Sequence, residues 1–248
     1  MLPVINIGPF ALPLPALLII LGLWLAMLTL DKEAGRRDLS ANTLNNLLVI
    51  GLIVGIAGAR LGYVLRHLEV YRDALLDILA LNAHALSLGD GLLFGLLAAL
   101  IYAQHKELPL WPTLDALAPG LGLFFVFVGL SHLASGDAYG APISLPWSLE
   151  IWGTERHPSQ VYEIMAALLV FWVIHRTKSA PMFQGFLILA FAALSAASRV
   201  FLEAFRGDSE IVLGGLRSMQ LGGLFVLLLS FIGMHLLAQN NPGTKLNR

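Results

Sequence analysis

Seven apolar stretches follow one another along the chain, each with roughly the 17–25 residues that a helix needs to span the hydrocarbon of a bilayer. They lie near residues 10–30, 46–67, 88–104, 115–134, 159–176, 184–205 and 218–238. A further apolar pattern in residues 74–87 predicts an amphipathic helix at the membrane interface. We find no internal repeat and no low-complexity linker. The pattern therefore predicts an all-α integral membrane protein with seven transmembrane helices, built as one domain over residues 1–248.

Composition agrees with this class. The chain is 57% hydrophobic and only 12% charged, more apolar than a soluble domain of 248 residues needs to be. Its net charge of −1 argues against a nucleic-acid partner, which requires a basic face. There is no cysteine, so disulfides, thiolate metal ligands and a covalent intermediate on a thiol of this chain are excluded. The histidines lack i, i+4 pairing with another ligand, and we expect neither a metal site nor a cofactor.

The positive charges predict the orientation. The first cations, Lys32, Arg36 and Arg37, follow the first apolar stretch rather than precede it, which argues against a cleaved signal peptide. With the N-terminus outside, the cytoplasmic loops and tail hold eight lysines and arginines against five on the other side. This excess favours an outside N-terminus and a cytoplasmic C-terminus.

Polar side chains recur at one end of successive spans. Because the spans alternate in direction, these side chains are expected at the same membrane face, the extracytoplasmic one. Ionisable groups within a membrane are costly and usually mark a functional site. The residues that the pattern brings to this face are Arg60, Asp90, His132, Asp137, His157, Gln160, Glu163, Arg199, Glu203, Arg206 and Gln220.

Three of these residues have the spacing of one helix face. Arg199, Glu203 and Arg206 follow an i, i+4, i+7 pattern. Two guanidiniums with a carboxylate between them can bind a phosphate group, because arginine donates two parallel hydrogen bonds to it. The alternative is a structural ion pair at the helix end. Arg60 lies among small residues and is either a third phosphate contact or an arginine reaching the headgroups.

His132 and Asp137 flank a glycine-containing turn. An imidazole titrates near neutral pH and a carboxylate can fix its tautomer, so the pair is a candidate base and orienting group. The alternative is that both are hydrogen-bonded residues of the interface. The same holds for Asp90, which is also placed to cap its helix.

The run His157–Glu163, with Pro158 and Ser159 near its start, is typical of a helix N-terminus. Capping, with Tyr162 in the interfacial aromatic belt, explains the proline and the serine. It leaves His157, Gln160 and Glu163 unexplained.

This run, H-P-S-Q-V-Y-E, resembles the H-P-S-Q-L-Y-E signature of the prolipoprotein diacylglyceryl transferases. Further segments resemble family motifs in the same order and extend the likeness over nearly the whole chain. They are I-G-P-F-A-L from residue 7, G-A-R-L-G-Y from 58, G-D-A-Y-G from 136, R-V-F-L-E-A-F-R-G-D from 199 and S-M-Q from 218.

The resemblance implies a bacterial inner-membrane enzyme with seven helices, an outside N-terminus and a cytoplasmic C-terminus. Such an enzyme moves diacylglyceryl from phosphatidylglycerol, or a related anionic phospholipid, to the lipobox cysteine of a prolipoprotein at the outer leaflet and releases glycerol phosphate. Arg199 and Arg206 are expected to bind phosphate with help from Arg60, and Glu203 to orient them. His132 or Asp137 is expected to be the base. The remaining expected substrate-binding residues are Asp90, Gly140, His157, Gln160, Tyr162 and Glu163.

The chain departs from the family pattern at several positions. A motif arginine would fall at Gly129 or Leu130, and the family's H-G-G is replaced by Asp90-Gly91-Leu92. A further asparagine and glutamate appear as His132 and Asp137, and aromatic positions of the first span as Pro13-Leu14-Pro15. Loss of one preorganised contact to developing charge costs roughly 3–4 kcal/mol in a desolvated site. The alternatives are a rewired transferase, a relative with another lipid donor or acceptor, a non-catalytic lipid-binding homologue and, last, a transporter.

Overall fold

The computed structural model describes residues 4–7, 10–72, 77–78 and 85–240, and most of them are helical. The helices are α1 (Leu14–Arg36), α2 (Ala41–Arg66), α3 (Leu68–Tyr71), α4 (Leu88–His105), α5 (Leu110–Ser135), α6 (Ser159–Thr177), α7 (Phe186–Leu202) and α8 (Ser218–Asn240). Three antiparallel hairpins pair β1 (Val4–Ile7) with β2 (Phe10–Pro13), β3 (Leu149–Ile151) with β4 (Thr154–Arg156) and β5 (Ile211–Leu213) with β6 (Leu216–Arg217).

Six helices of the described chain are long and apolar enough to cross a membrane: α1, α2, α4, α5, the segment Phe186–Phe205 and α8. This confirms an α-helical protein with the make-up of an integral membrane protein. The fifth predicted span, residues 159–176, forms as α6, but it is not among these six. Its 19 residues include Gln160, Glu163, His175 and Arg176, which shorten its apolar part. The seven-span count and the orientation of the termini stay predictions.

Two sequence-based expectations fall largely outside the described residues. The interfacial helix predicted for residues 74–87 lies mostly there, since only 77–78 and 85–87 of that stretch are described. The motif that begins at Ile7 is described only in part, because residues 8 and 9 are not.

The chain separates into two compact units, Met1–Glu33 with Leu114–Arg248, and Ala34–Thr113. The smaller unit is built on close packing of α2 against α4. A Cβ atom at Gly91 would lie 3.0 Å from the Gly55 carbonyl oxygen, and one at Gly95 would lie 2.8 Å from that of Gly51. Glycines let two membrane helices approach until their backbones touch. The expectation of one domain over the whole chain stays a prediction.

The core of the larger unit lies where α5, α6 and α7 meet. Its buried members are Ala118, Val170, Ile174, Leu187, Ala190 and Phe191. The Asp115 carboxylate, buried on α5, accepts hydrogen bonds from the backbone N–H groups of Gly185 at 2.7 Å and Ile188 at 3.0 Å. It therefore satisfies free amides at the start of α7 and fixes that helix against α5.

The chain after α5 lies between the end of α7 and the start of α6 and is hydrogen-bonded to both. The Gly207 N–H donates to the Tyr139 carbonyl at 2.9 Å, and the Ala141 N–H donates to the Phe205 carbonyl at 2.8 Å. On the other side, the His157 N–H donates to the Ala141 carbonyl at 3.0 Å. These bonds bring together three segments that are distant in sequence, and all three carry candidate site residues.

Candidate functional site

Arg199, Glu203 and Arg206 form a charged fork at the end of α7. The Glu203 side chain is fully buried, and its Oε2 atom lies 3.1 Å from Arg199 Nε and 4.0 Å from Arg206 Nε. The predicted continuous helix face was wrong, because α7 ends at Leu202 and Glu203–Phe205 forms a 3₁₀ turn. Arg206 follows in an extended conformation. The turn nevertheless keeps both arginines beside the same carboxylate oxygen.

Asp208 holds the Arg206 side chain. Arg206 Nε donates to Asp208 Oδ1 at 2.9 Å and Nη2 donates to Oδ2 at 2.7 Å. Burial lowers the pKa of the Arg206 guanidinium, but the hydrogen bonds and charge of Asp208 and the charges of Glu203 and Glu163 outweigh it. The pKa therefore lies above its ordinary value, and Arg206 is always cationic. Asp208 was not among the residues predicted at the site, although its position two residues after an arginine in a turn was a signal for this pair.

Arg217 and Gln220 hold the backbone of the same segment. The Arg217 guanidinium donates to the Arg206 carbonyl and to the Ser209 hydroxyl. Gln220 Oε1 accepts from the Arg217 N–H at 3.0 Å, and Gln220 Nε2 donates to the Val200 carbonyl at 3.2 Å. Arg217 was not among the residues that the sequence predicted at the site. Its structural role depends on tertiary contacts that no local pattern reports.

His132 is paired with Glu163, not with Asp137 as the sequence predicted. His132 Nδ1 lies 2.9 Å from Glu163 Oε2. The Asp137 carboxylate instead accepts from the Ser135 hydroxyl at 2.7 Å. Gly136, with φ of 85°, turns the chain directly after α5 and keeps Asp137 beside Ser135. The last turn of α5 is thereby joined to the first turns of α6.

Ser159 and Gln160 bind the loop that follows α5. The Ser159 hydroxyl donates to the Ala138 carbonyl, so it does not cap the helix amides as the sequence predicted. Pro158 holds the N-cap position and makes Ser159 the first helical residue, which directs its hydroxyl to the loop. Gln160 is fully buried, and its Nε2 donates to the Asp137 carbonyl at 2.9 Å. Both side chains therefore hold the backbone of the loop after α5 in position.

His157 and Tyr162 belong to an aromatic cluster with Phe205. The Phe205 ring centroid lies 5.2 Å from that of His157 and 5.8 Å from that of Tyr162. The Tyr162 hydroxyl accepts a hydrogen bond from Trp147 Nε1 at 3.2 Å. In the described part of the chain, His157 Nδ1 is buried without a hydrogen-bond partner. Tyr162 thus packs at the site, which is more than the interfacial role that its position in sequence suggested.

Gly140 leaves no room for a side chain. A Cβ atom there would collide with the His157 carbonyl oxygen, and one at Gly207 would lie 2.6 Å from the Gly140 carbonyl oxygen. Gly140 is also the backbone bridge partner of Arg206. Arg156 donates to the Gly140 carbonyl at 3.3 Å, with its guanidinium over the Tyr139 ring. The glycine therefore sets the spacing between the arginine segment and the start of α6.

A cavity of about 290 Å³ lies between α5, α6 and α7. One end is polar and is lined by Tyr162, Glu163, Arg199 and Arg206. The remainder is lined mainly by apolar or small residues: Gly122, Phe125, Ser159, Ala166, Ala167, Val170, Phe191, Ser195, Ser198 and Leu202. A cavity with arginines at one end and an apolar interior is complementary to an amphiphile with an anionic head.

Arg60 and Asp90 belong to the smaller unit. Arg60 is buried and donates to the backbone carbonyls of Asp77, of Ile78 at 2.9 Å and of Ala85 at 3.1 Å. Arg60 therefore binds backbone carbonyl groups rather than extending toward lipid headgroups. Its phosphate-binding role stays a prediction.

Asp90 makes an ion pair with Arg66. Arg66 Nη2 donates to Asp90 Oδ1 at 2.8 Å, and Arg66 Nη1 lies 2.6 Å from Oδ2. The helix begins at Leu88 after Ser87, so Asp90 lies in the first turn and is not the N-cap residue. Its expected contact with substrate stays a prediction.

In the part of the chain that is described, no group of three or more histidine, aspartate or glutamate side chains is placed to hold a metal ion.

The fold and the site together define the class: an α-helical protein with the make-up of an integral membrane protein and a cavity that has two arginines at one end and a mainly apolar lining. The prolipoprotein diacylglyceryl transferase family matches residues 3–236, and the chain belongs to this family. Among its relatives is the phosphatidylglycerol–prolipoprotein diacylglyceryl transferase of Finegoldia magna, 28% identical over 87% of each chain. The enzymes of the same name from Synechococcus elongatus (26% identical; 93% of this chain, 85% of the relative) and Clostridioides difficile (27%; 89% and 88%) are also similar.

Proposed function

We propose that this chain transfers the diacylglyceryl group of phosphatidylglycerol, or of a related anionic phospholipid, to the lipobox cysteine thiol of a prolipoprotein. The reaction takes place at the outer leaflet of the bacterial inner membrane. Family membership and the names of the relatives support it. The observation that carries it is the fork of Arg199, Glu203 and Arg206 at the polar end of the cavity between α5, α6 and α7.

In this proposal the two arginines hold the phosphate. The buried Glu203 carboxylate fixes the position of both guanidiniums, and the apolar part of the cavity receives acyl chain. The thiolate attacks the glycerol carbon, and the bond from this carbon to the phosphate oxygen breaks. Negative charge then accumulates on the departing glycerol phosphate, where preorganised cations lower the barrier. His132 or Asp137 accepts the thiol proton.

In this proposal, Gly140, His157, Gln160, Tyr162 and Glu163 lie at the mouth of the cavity. Tyr162 and Glu163 line it directly. His157 packs on Tyr162 and Phe205, Gln160 holds the Asp137 carbonyl, and Gly140 spaces the arginine segment. We propose that His157 and Tyr162 contact the lipid headgroup, and that Gln160 and Gly140 act by positioning the residues that do. An outside N-terminus would turn this mouth to the extracytoplasmic side.

A transfer assay tests the proposal. The purified protein in phosphatidylglycerol nanodiscs is incubated with a synthetic lipobox peptide, and the peptide is weighed by mass spectrometry. We expect a mass increase of one diacylglyceryl group, and a loss of at least about 100-fold in rate for Arg199→Gln. Arg176→Gln is the matched control. Arg176 lies in the last turn of α6, and its guanidinium stacks on the Trp172 ring. An unmodified peptide, with a known transferase active in the same assay, would overturn the proposal.

One observation favours a second candidate, a related protein with another lipid donor or acceptor, or one that binds lipid without turnover. By the resemblance, the family's motif arginine would fall at Gly129 or Leu130, and neither residue is cationic. A Cβ atom at Gly129 would lie 2.9 Å from Ile164 Cγ1, so a long side chain has no room there. Leu130 lines a different hollow, with Leu14.

The same assay with other lipids separates these candidates. Turnover of a different phospholipid, or of phosphatidylglycerol without peptide modification, would favour another donor or acceptor. Bound lipid without any turnover, unaffected by Asp137→Asn, would favour the non-catalytic homologue.

A further inference from the structure

We infer that His132 and Glu163 form the proton-accepting pair of the site, with His132 taking the thiol proton and Glu163 holding and charge-balancing the imidazole. This inference rests on the proposed function and adds the residue that activates the acceptor. The two side chains come from α5 and α6, 31 positions apart, and no local sequence pattern joins them.

The hydrogen bond to Glu163 occupies Nδ1 of the His132 ring and leaves Nε2 without this partner. Glu163 Oε2 lies 2.9 Å from His132 Nδ1, and an ionised carboxylate can only accept a hydrogen bond. With Glu163 ionised, the proton of the neutral ring lies on Nδ1 and the lone pair of Nε2 is available. The His132 side chain is 31% exposed, and in this proposal the second substrate approaches Nε2, the ring nitrogen that Glu163 does not bind. The carboxylate then stabilises the imidazolium that forms.

The pair lies beside the proposed phosphate site. Glu163 lines the cavity together with Arg199 and Arg206, and its charge contributes to the electrostatics of Arg206. On α5, Leu130 and Leu133 line a different hollow, so His132 occupies the other side of the helix. A thiol held next to His132 would thus approach a lipid whose phosphate lies on the two arginines.

The other candidate base is less suited to the task. Asp137 already accepts a hydrogen bond from Ser135, and its side chain is not paired with His132. The ordinary pKa of a cysteine thiol is about 8.5, that of imidazole about 6.5 and that of aspartate about 3.9. Among the free groups, imidazole is therefore the stronger base for a thiol proton. A base near neutral pH is the better match for a thiol.

The transfer needs no reactant beyond the cysteine thiol, the phospholipid and the His132 side chain. The S–H bond of the cysteine breaks, and its proton goes to Nε2 of His132. The C–S bond to the glycerol carbon forms while the C–O bond to phosphate breaks, and the electron pair of that bond stays on the phosphate oxygen. The proton on His132 then passes to the glycerol phosphate product, directly or through water, which restores the neutral ring.

A peptide with selenocysteine distinguishes a residue that acts as a base from a residue that only binds the substrate. A selenol is already ionised at neutral pH and needs no base, whereas a thiol does. We would compare transfer to a lipobox peptide with cysteine and to the same peptide with selenocysteine, for the wild type and His132→Asn. We expect His132→Asn to lower the rate with the thiol by at least about 100-fold. With the selenol, we expect a rate within about 10-fold of wild type.

Three further variants are compared with His132→Asn. Glu163→Gln should lower the thiol rate less than His132→Asn does and should also recover with the selenol. Arg199→Gln should slow both nucleophiles equally, because phosphate binding serves both. His175→Asn is the matched control, a histidine in the last turn of α6 beside Phe171, and should change neither rate.

The outcomes distinguish this inference from the proposed function. Equal loss with both nucleophiles in His132→Asn, or no loss with either, would overturn the pair as the base while leaving the transferase in place. A wild type that modifies neither peptide would overturn the proposed function, and the role of the pair in that reaction with it.

Discussion

Arg206 presents the Nε–Nη2 edge of its guanidinium to both carboxylate oxygens of Asp208, at 2.9 Å and 2.7 Å. This is the edge with which arginine binds a phosphate bidentately. The two arginines of the site are also outnumbered by three carboxylates, those of Glu163, Glu203 and Asp208. A phosphate that binds Arg206 by this edge must therefore displace Asp208, which acts as an internal competitor for the lipid.

Removal of the charge of Asp208 should strengthen lipid binding. We expect Asp208→Asn to lower the Kd for phosphatidylglycerol about 3- to 10-fold, because an amide competes less well for the guanidinium than a carboxylate does. Native mass spectrometry or a vesicle titration measures it. Glu155→Gln, an exposed carboxylate in β4, is the control and should leave the Kd unchanged. Weaker binding in Asp208→Asn would show that Asp208 only positions Arg206.

Glu203 should contribute strongly to the stability of the folded protein. Its side chain is fully buried next to Arg199, so Glu203→Gln leaves the arginine without its counter-charge. Loss of one partner of a buried pair costs about 3–5 kcal/mol, and the 37% exposure of Arg199 reduces this, so we expect about 2–3 kcal/mol. The lowering of the thermal unfolding midpoint in detergent measures it. Glu69→Gln, at an exposed residue of α3, should not lower the midpoint. An equal effect of the two variants would contradict the buried pair.

A methyl group at Gly140 should disrupt the mouth of the cavity. Because the Cβ atom of Gly140→Ala collides with the His157 carbonyl, the segments that carry His157 and Arg206 must move apart. We expect a loss of at least about 100-fold in transfer rate, since small displacements of catalytic groups have effects of this size. Gly222→Ala is the matched control, because a Cβ atom there would meet nothing within 4 Å. If both variants retained full activity, the Gly140 contact would not govern the site.

The positions of the helices could be predicted from the sequence, whereas much of the side-chain pairing could not. Each predicted apolar stretch contains a helix, because hydrophobic length alone defines such segments. The contact between Arg199 and Glu203 follows from their i, i+4 spacing. The end of α7 at Leu202 was missed, since nothing in the apolar pattern stops there.

Pairs between helices depend on packing that the chain order does not reveal. The sequence suggested Asp137 as the partner of His132 because it is near in sequence, but Glu163 on the adjacent helix is nearer in space. Ser159 illustrates the same limit at a helix start. Its type and position are those of a capping residue, yet its hydroxyl donates a hydrogen bond to the Ala138 carbonyl.

The central claim is that Arg199 and Arg206 hold the lipid phosphate, and an experimental structure with phosphatidylglycerol bound in a nanodisc tests it most directly. We predict headgroup density with phosphate oxygens about 3 Å from both guanidiniums and acyl-chain density between α5, α6 and α7. Phosphate density elsewhere in the protein, with both arginines still bound only to Glu203 and Asp208, would contradict it.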